Sequence, residues 1–338
     1  MSNSYSKLIE TALKNCQRGS KKPIQQSPRN LDSSLNQNLF KLIEVRLPVT
    51  DIFLMRWCQD ALHQALVASR RGQLQMAEQL FAKAYTPLQS DTLSTEGSLI
   101  CQSFHQVAEA YLNYRQGDFI QARSRLFEGL AIDVLLEEKY GYELLCLHRL
   151  QIALHIVRID VRNHCLEQAI DLASQLLNYL EGALEVLSLP GSWESKFLNL
   201  VPPELTAMFF AQISEQVALA LAGKNRDIAR DLFAVVPNRI QLQADGNNHC
   251  NPRSHAWFRI KQAFVNNDVS IFLERASHFL AEGRAHTPLL WYATVVDLVT
   301  VCDDLNLRES KLVKQEIASD AVTWEYLPKP FLSLLGVH

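Results

Sequence analysis

The chain has 338 residues, of which 48% are hydrophobic and 20% charged, and its 33 basic and 36 acidic side chains give a formal net charge of −3. This is the composition of an ordinary globular protein of one large or two moderate domains, and it excludes a disordered, collagen-like or small disulfide-stapled protein. Glycine and proline, twelve of each, are scarce, which favours helices.

The cysteines and the apolar segments indicate a cytoplasmic protein. The seven cysteines lie in apolar helical contexts without any CxxC pair, so we expect reduced core residues. The N-terminal residues contain no unbroken apolar run, and we expect no secretory signal there. The most apolar window, residues 205–222, carries Gln212, Glu215 and Gln216, which predicts a helix packed on other helices and not a membrane span.

The first 50 residues are basic, with eight Lys or Arg and three Asp or Glu, so the remaining 288 residues carry a net charge of −8. We predict a short helix over residues 6–16. Residues 17–37 are polar and have no apolar period, which predicts a flexible linker. We therefore divide the chain into a short N-terminal helix with a flexible basic linker, residues 1–36, and a helical repeat domain, residues 37–338. A basic tail that touches nucleic acid is the alternative for the first segment.

From residue 51 onward one unit recurs: a long helix with an apolar period, a break at Gly or Asn, and a shorter amphipathic helix. Five copies are predicted, over residues 57–85, 103–132, 144–177, 208–236 and 255–283. Their breaks lie 45, 46, 60 and 44 residues apart, at Gly72, Gly117, Asn163, Gly223 and Asn267. In three copies the second helix carries a small residue one turn before a large one, in the pairs Ala77 and Phe81, Ala122 and Leu126, and Ala229 and Phe233. Such pairs allow the helices of a hairpin to approach closely while the groove between hairpins is filled.

Two of these segments resemble the tetratricopeptide repeat: ALVASRRGQLQMAEQLFAKAY (65–85) and AYLNYRQGDFIQARSRLFEGLAI (110–132). In both, a first helix rich in small residues leads through a glycine into a second helix with a spaced alanine. The period of about 45 residues exceeds the typical 34 of the family, and the proline that usually closes each repeat is missing. The resemblance implies an all-α, right-handed superhelix of about five degenerate hairpins, similar to helical sensor and adaptor domains of bacterial regulators. We expect roughly 12 to 15 helices.

The helix predicted over residues 144–162 is apolar almost all round except for one polar stripe. At 100° per residue this stripe holds His148, Gln151, His155, Arg158 and Arg162. A stripe on the first helix of a tetratricopeptide-like hairpin would face the concave groove. There Arg158, Arg162 and His155 would form charge-assisted hydrogen bonds with acidic side chains of a partner. The alternative is a solvated edge, or pairing with acids on adjacent helices.

The two preceding first helices carry similar polar stripes, and the same alternative applies to them. One stripe holds Arg56, Asp60 and His63, and the other holds Gln102, His105, Glu109, Asn113 and Gln116. Of these residues we expect Arg56, Glu109 and Asn113 to orient the partner.

No motif of an enzyme is present: the chain lacks a phosphate loop, a dinucleotide fingerprint, a GxSxG elbow and an HExxH pair. His148 and His155 lie about two turns apart, too far for a compact metal site on one helix, and we expect no metal or cofactor. The predicted function is a non-enzymatic protein–protein interaction module, an adaptor or regulatory protein that holds a peptide or helix in its groove. We expect no membrane contact, and exposed ends of a solenoid make a homo-oligomer plausible.

The alternative function is a transcriptional or signalling regulator that senses a ligand or contacts DNA. Arg123 and Arg125, or Arg226 and Arg230, would then touch phosphates. The charge of −8 on residues 51–338 disfavours nucleic acid as a partner, because phosphate contacts require clustered basic side chains.

Two long breaks and the tail complete the prediction. Residues 188–203 and 237–254 are either interaction loops or plain surface insertions. The apolar tail, residues 324–335, is expected to dock on the last hairpin as a cap.

Overall fold

The computed structural model describes residues 2–25, 31–89, 92–183, 186–194, 198, 201–236, 251–324 and 327–337. Within these residues the chain forms 15 α-helices and no β-strand, which confirms the all-α prediction. The helices are α1 Ser2–Ser20, α2 Leu31–Arg46, α3 Val49–Arg70, α4 Leu74–Tyr85, α5 Thr95–Gln116, α6 Phe119–Tyr140, α7 Leu145–Arg162, α8 Leu166–Leu180, α9 Pro203–Leu221, α10 Arg226–Phe233, α11 Pro252–Val265, α12 Val269–Glu282, α13 Pro288–Leu305, α14 Arg308–Ala321 and α15 Lys329–Leu334. A 3₁₀ helix, Thr86–Gln89, follows α4.

All five predicted breaks lie between consecutive helices. Gly72 and Gly117 have φ angles of 77° and 85°, in the left-handed region that glycine adopts without strain. At the third break the left-handed residue is His164, next to Asn163, with φ 62°. At the fifth break it is Asn267, also with φ 62°. These short turns bring α3 onto α4, α5 onto α6 and α11 onto α12 as helical hairpins.

The predicted pairs of small and large residues are buried in the three second helices. The six side chains are at most 2% exposed: Ala77, Phe81, Ala122, Leu126, Ala229 and Phe233. These small and large residues therefore belong to the core, as expected for pairs that face the interior of the protein.

The helices belong to two compact units, each with its own core. The central unit, residues 29–165 and 179–205, contains α2 to α7. Its main core cluster draws on α2, α3, α5, α6 and α7, and a second cluster around Phe81 draws on α3, α4 and α5. The terminal unit, residues 1–28, 166–178 and 206–338, contains α1, most of α8 and α9, and α10 to α15.

The N-terminal helix is longer than predicted. It ends at Ser20 instead of residue 16, and α2 begins at Leu31, inside the segment for which a flexible linker was predicted. The physical reason is that α1 packs on α12 and α14 of the terminal unit. Gly19 lies so close to the carbonyl oxygen of Leu280 that an added Cβ would be 1.9 Å from it.

Hydrogen bonds fix the C-terminal end of α1. The buried guanidinium of Arg284 donates to the carbonyl oxygens of Ser20 and Lys22, at 2.7 and 3.2 Å. The hydroxyl of Ser20 donates to Asp320 of α14 at 2.8 Å. These partners come from the far end of the chain, so the polar composition of residues 17–22 gives no sign of them.

The C-terminal tail is packed on the protein, but its ring contacts are with α13 and not with the last predicted hairpin, residues 255–283. Trp324 and Phe331 are 7% and 0% exposed. The Trp324 ring lies 4.9 Å from the ring of Trp291 and 5.7 Å from that of Tyr292, and Phe331 lies 6.3 Å from Tyr292. The aromatic residues of α13 therefore form the surface that the tail covers.

Candidate functional site

The predicted polar stripe is the accessible side of α7. Twelve of the eighteen residues of this helix are buried. Gln151 and Arg162 are exposed, whereas His148, His155 and Arg158 are half-buried. Val161 is also half-buried, so the stripe is slightly broader than predicted. A partner that reaches α7 therefore meets this row of side chains.

His148 lies at the inner end of the stripe in a network of three helices. Its Nδ1 is 2.7 Å from Oδ2 of Asp133 on α6, a carboxylate that is fully buried. The buried Ser103 hydroxyl of α5 donates to the other oxygen of the same carboxylate. Because the serine bonds to the carboxylate and not to the imidazole, these three residues lack the relay of a nucleophilic serine. These contacts hold the His148 side chain against α6.

His155 does not carry the charge that the sequence-based interpretation gave it. Burial, then the neighbouring Arg158 and His148, lower the pKa of His155 to about 3. The imidazole is consequently neutral at pH 7, and its Nδ1 accepts a hydrogen bond of 3.3 Å from Arg158. The cationic groups of the stripe are therefore Arg158 and Arg162.

The side chains of Glu109 and Asn113 already have polar partners within the α5–α6 hairpin. Both contact Arg125 of α6: its Nη1 lies 2.8 Å from the Glu109 carboxylate, and its Nε donates to Asn113 Oδ1 at 2.9 Å. Nη1 of Arg125 also donates to Gln106 at 2.7 Å. The hairpin uses Glu109 and Asn113 to hold an arginine in place, which leaves them poorly suited to orient a partner.

Arg56 makes its contact away from α7. It is exposed on α3 and pairs with Glu44 of α2. His63, one to two turns further along α3, is exposed as well. Among the residues described, no contact therefore links Arg56 to the polar stripe of α7.

A second polar link between α6 and α7 was not predicted. Nε of Arg123 lies 2.9 Å from Oδ1 of Asp160, whose residue is 2% exposed. Burial raises the pKa of Asp160, and the guanidinium of Arg123 opposes this rise. The sequence signal for this pair was an acid within an apolar helix, because buried charges need partners.

The described part of the first long loop packs on a buried arginine of α7. Arg149 is fully buried, pairs with Glu137 and donates through Nη2 to the carbonyl oxygen of Ser192 at 2.9 Å. Its guanidinium lies 5.1 Å from the ring centre of Trp193. Residues 188–194 thus have a role in covering Arg149. The second long loop lies outside the described residues except for residues 251–254.

Among the side chains that the structure describes, no group of three His, Cys, Asp or Glu residues is arranged to hold a metal ion. In the same part of the chain, no helix combines the length and apolar character needed to cross a bilayer.

Comparisons of the chain with protein-family models, with curated proteins and with solved structures found no match. Function is therefore inferred from the side chains of this chain alone.

Proposed function

We propose that this protein is a non-enzymatic interaction module, an adaptor or regulatory protein, that binds an acidic peptide or helix of a partner along α7. Arg158 and Arg162 are the charged contacts, and Gln151 adds a hydrogen-bonding amide. We further propose that the helical hairpins are degenerate repeats of a tetratricopeptide-like superhelix. The expected location is the cytoplasm, which the free thiols of the six described cysteines support.

The observation that carries the proposal is the placement of Arg158 and Arg162. They are one turn apart on the accessible side of a helix that is otherwise buried. Burial of twelve residues fixes the backbone of α7, so a partner would not have to order it on binding. Guanidinium groups at one-turn spacing match carboxylates at the same spacing on a partner helix, and each can form two parallel hydrogen bonds.

Protein is preferred over DNA as the partner because the arginines that a DNA-binding helix would use already have acidic partners. Arg123 pairs with Asp160 and Arg125 with Glu109. Arg226 and Arg230 pair with acids in the terminal unit, Asp304 and Asp227. Contacts with phosphate would have to replace these ion pairs.

The test is a pull-down from the native host at moderate salt, with analysis of protein and nucleic acid in the eluate. The wild-type chain is compared with Arg158→Glu/Arg162→Glu. The matched control is Lys7→Glu/Lys14→Glu, which makes the same change of charge at two exposed positions of α1. Circular dichroism establishes that all three proteins are folded.

We expect a protein that the wild type and the control retain and the α7 variant loses. An equal catch from all three proteins would refute the role of these arginines. Recovery of DNA instead of protein would favour the alternative function, a regulator that contacts DNA.

A further inference from the structure

We propose that the cleft between α3 and α4 binds an acidic amphipathic helix of a partner protein. This site goes beyond the proposed function, because it lies on another hairpin and does not involve the stripe of α7. The cleft has a volume of about 550 Å³ and is lined by one face of each helix, which includes Val67, Ala68, Arg71, Met76, Leu80 and Lys83.

The lining has an apolar floor between polar ends. Val67, Ala68 and Leu80 are buried or half-buried, whereas the Met76 side chain is 53% exposed. Methionine is unbranched and polarisable, so it adapts to the shape of an apolar partner side chain. The apolar floor of the cleft can therefore accommodate one large apolar side chain of a partner.

The charged residues of the lining, Arg71 and Lys83, are both positive and exposed. The exposed carboxylate of Asp60 lies one turn before His63 on α3 but does not line the cleft. The single acidic residue of α4, Glu78, accepts a hydrogen bond from Gln116 of α5. The structure describes no hydrogen bond or ion pair of the Arg71 side chain, and Lys83 lies over the ring of Trp57 at 5.6 Å. The cleft thus complements an anionic ligand.

The spacing of the cations favours a peptide over a small anion. In the hairpin, Arg71 lies at the turn, whereas Lys83 lies near the other end, beyond the level of His63. At 1.5 Å per residue, His63 and Arg71 are about 12 Å apart along α3. A ligand with one anionic group reaches one end only. A helix with carboxylates about eleven residues (three turns) apart, roughly 16.5 Å, reaches both while its apolar side chain meets Met76.

The test measures binding of a defined probe to the full chain. The probe is a fluorescein-labelled, alanine-based helical peptide with two glutamates about eleven residues apart and a leucine between them on the same face. A second peptide replaces both glutamates by lysine. Fluorescence anisotropy is recorded for the wild type, Arg71→Glu/Lys83→Glu, the charge-matched control Lys7→Glu/Lys14→Glu and the neighbouring control Arg70→Glu. The α7 variant Arg158→Glu/Arg162→Glu is measured as well. Arg70 is exposed at the same end of the hairpin but does not line the cleft.

We expect saturable binding of the glutamate peptide that weakens with salt. Its dissociation constant should rise about tenfold or more in Arg71→Glu/Lys83→Glu and stay within about twofold in Arg70→Glu and in Lys7→Glu/Lys14→Glu. A fluorophore on Met76→Cys should report the same titration. Absence of binding, equal binding of the lysine peptide, or equal weakening by Arg70→Glu would overturn the proposal. Weakening by the α7 variant alone would overturn it too, and would assign the peptide to α7.

Discussion

The buried ion pair of the terminal unit provides a quantitative test of the structure. Nζ of Lys261 on α11 lies 2.8 and 3.0 Å from the two carboxylate oxygens of Asp297 on α13. The side chains are 2% and 7% exposed, and the ammonium group also lies 4.5 Å from the ring centre of Phe264. Burial raises the pKa of Asp297, and the charge of Lys261 opposes this rise.

The perturbation is Lys261→Met, which keeps the length of the side chain but removes the charge. Asp297 is then buried without its cation. Breaking a buried pair on one side costs about 3–5 kcal/mol, whereas replacing both partners by apolar residues is often neutral or stabilising. We therefore expect Lys261→Met to lower the melting temperature by on the order of 10 °C. Lys261→Met/Asp297→Leu should recover most of that loss.

The pH dependence has a definite sign. A carboxyl whose pKa is higher in the folded than in the unfolded protein binds more protons when folded, so stability falls as pH rises above the unfolded value. Lys261→Met raises the folded pKa of Asp297 further. The loss of stability in this variant should therefore be larger at pH 8 than at pH 5.

The assay is thermal unfolding followed by circular dichroism at both pH values, with Lys311→Met, an exposed lysine of α14, as the control. A loss below about 1 kcal/mol, or a loss that does not grow with pH, would show that Lys261 and Asp297 are not a buried pair. A double variant no more stable than the single variant would refute the explanation by an unpaired charge.

Two further variants test the long-range contacts. Arg149→Met removes the cation that pairs with Glu137 and the donor to the first long loop. We therefore expect faster chymotrypsin cleavage after Trp193, mapped by mass spectrometry. Unchanged cleavage would contradict the role of Arg149 in holding this loop. Gly19→Ala in α1 would gain about 1 kcal/mol from helix propensity alone. The contact with the carbonyl oxygen of Leu280 instead predicts a loss of about 1–3 kcal/mol, measured by thermal unfolding, and a gain would refute the close packing.

Local signals account for the parts of the fold that the sequence predicts. The turns at Gly72 and Gly117 require a residue with left-handed backbone angles, and a glycine predicts the place of such a turn to within a few positions. The buried alanines of the second helices follow from helical period. Both features depend on neighbours within about one helical turn, so a single sequence is enough to locate them.

The end of α1 and the role of the first long loop depend on distant residues. Ser20 and Lys22 are bonded by Arg284, and Ser192 is bonded by Arg149. Residues 17–22 are polar with no apolar period, which is the pattern of a linker until the partner across the chain is known. Only the three-dimensional fold can show that these carbonyl oxygens have a buried donor.

For the candidate sites, too, the sequence predicts where a side chain lies but not whether it is available to a partner. Helical period correctly places Gln151 and Arg162 on an accessible face of α7, because exposure follows from the pattern of apolar neighbours. The pattern does not show whether a polar side chain is already used by the fold, as Glu109 and Asn113 are in holding Arg125.

The opposite case is the cleft of α3 and α4. Arg71 follows the end of α3 and Lys83 lies in α4, so no helical period relates them in the sequence. The hairpin nevertheless places both along one groove. A charge is available to a partner only where the fold has not already neutralised it. The residues most suited to binding an acidic partner are therefore basic side chains with no carboxylate beside them. Finding them requires the position of every acid in the neighbouring helices.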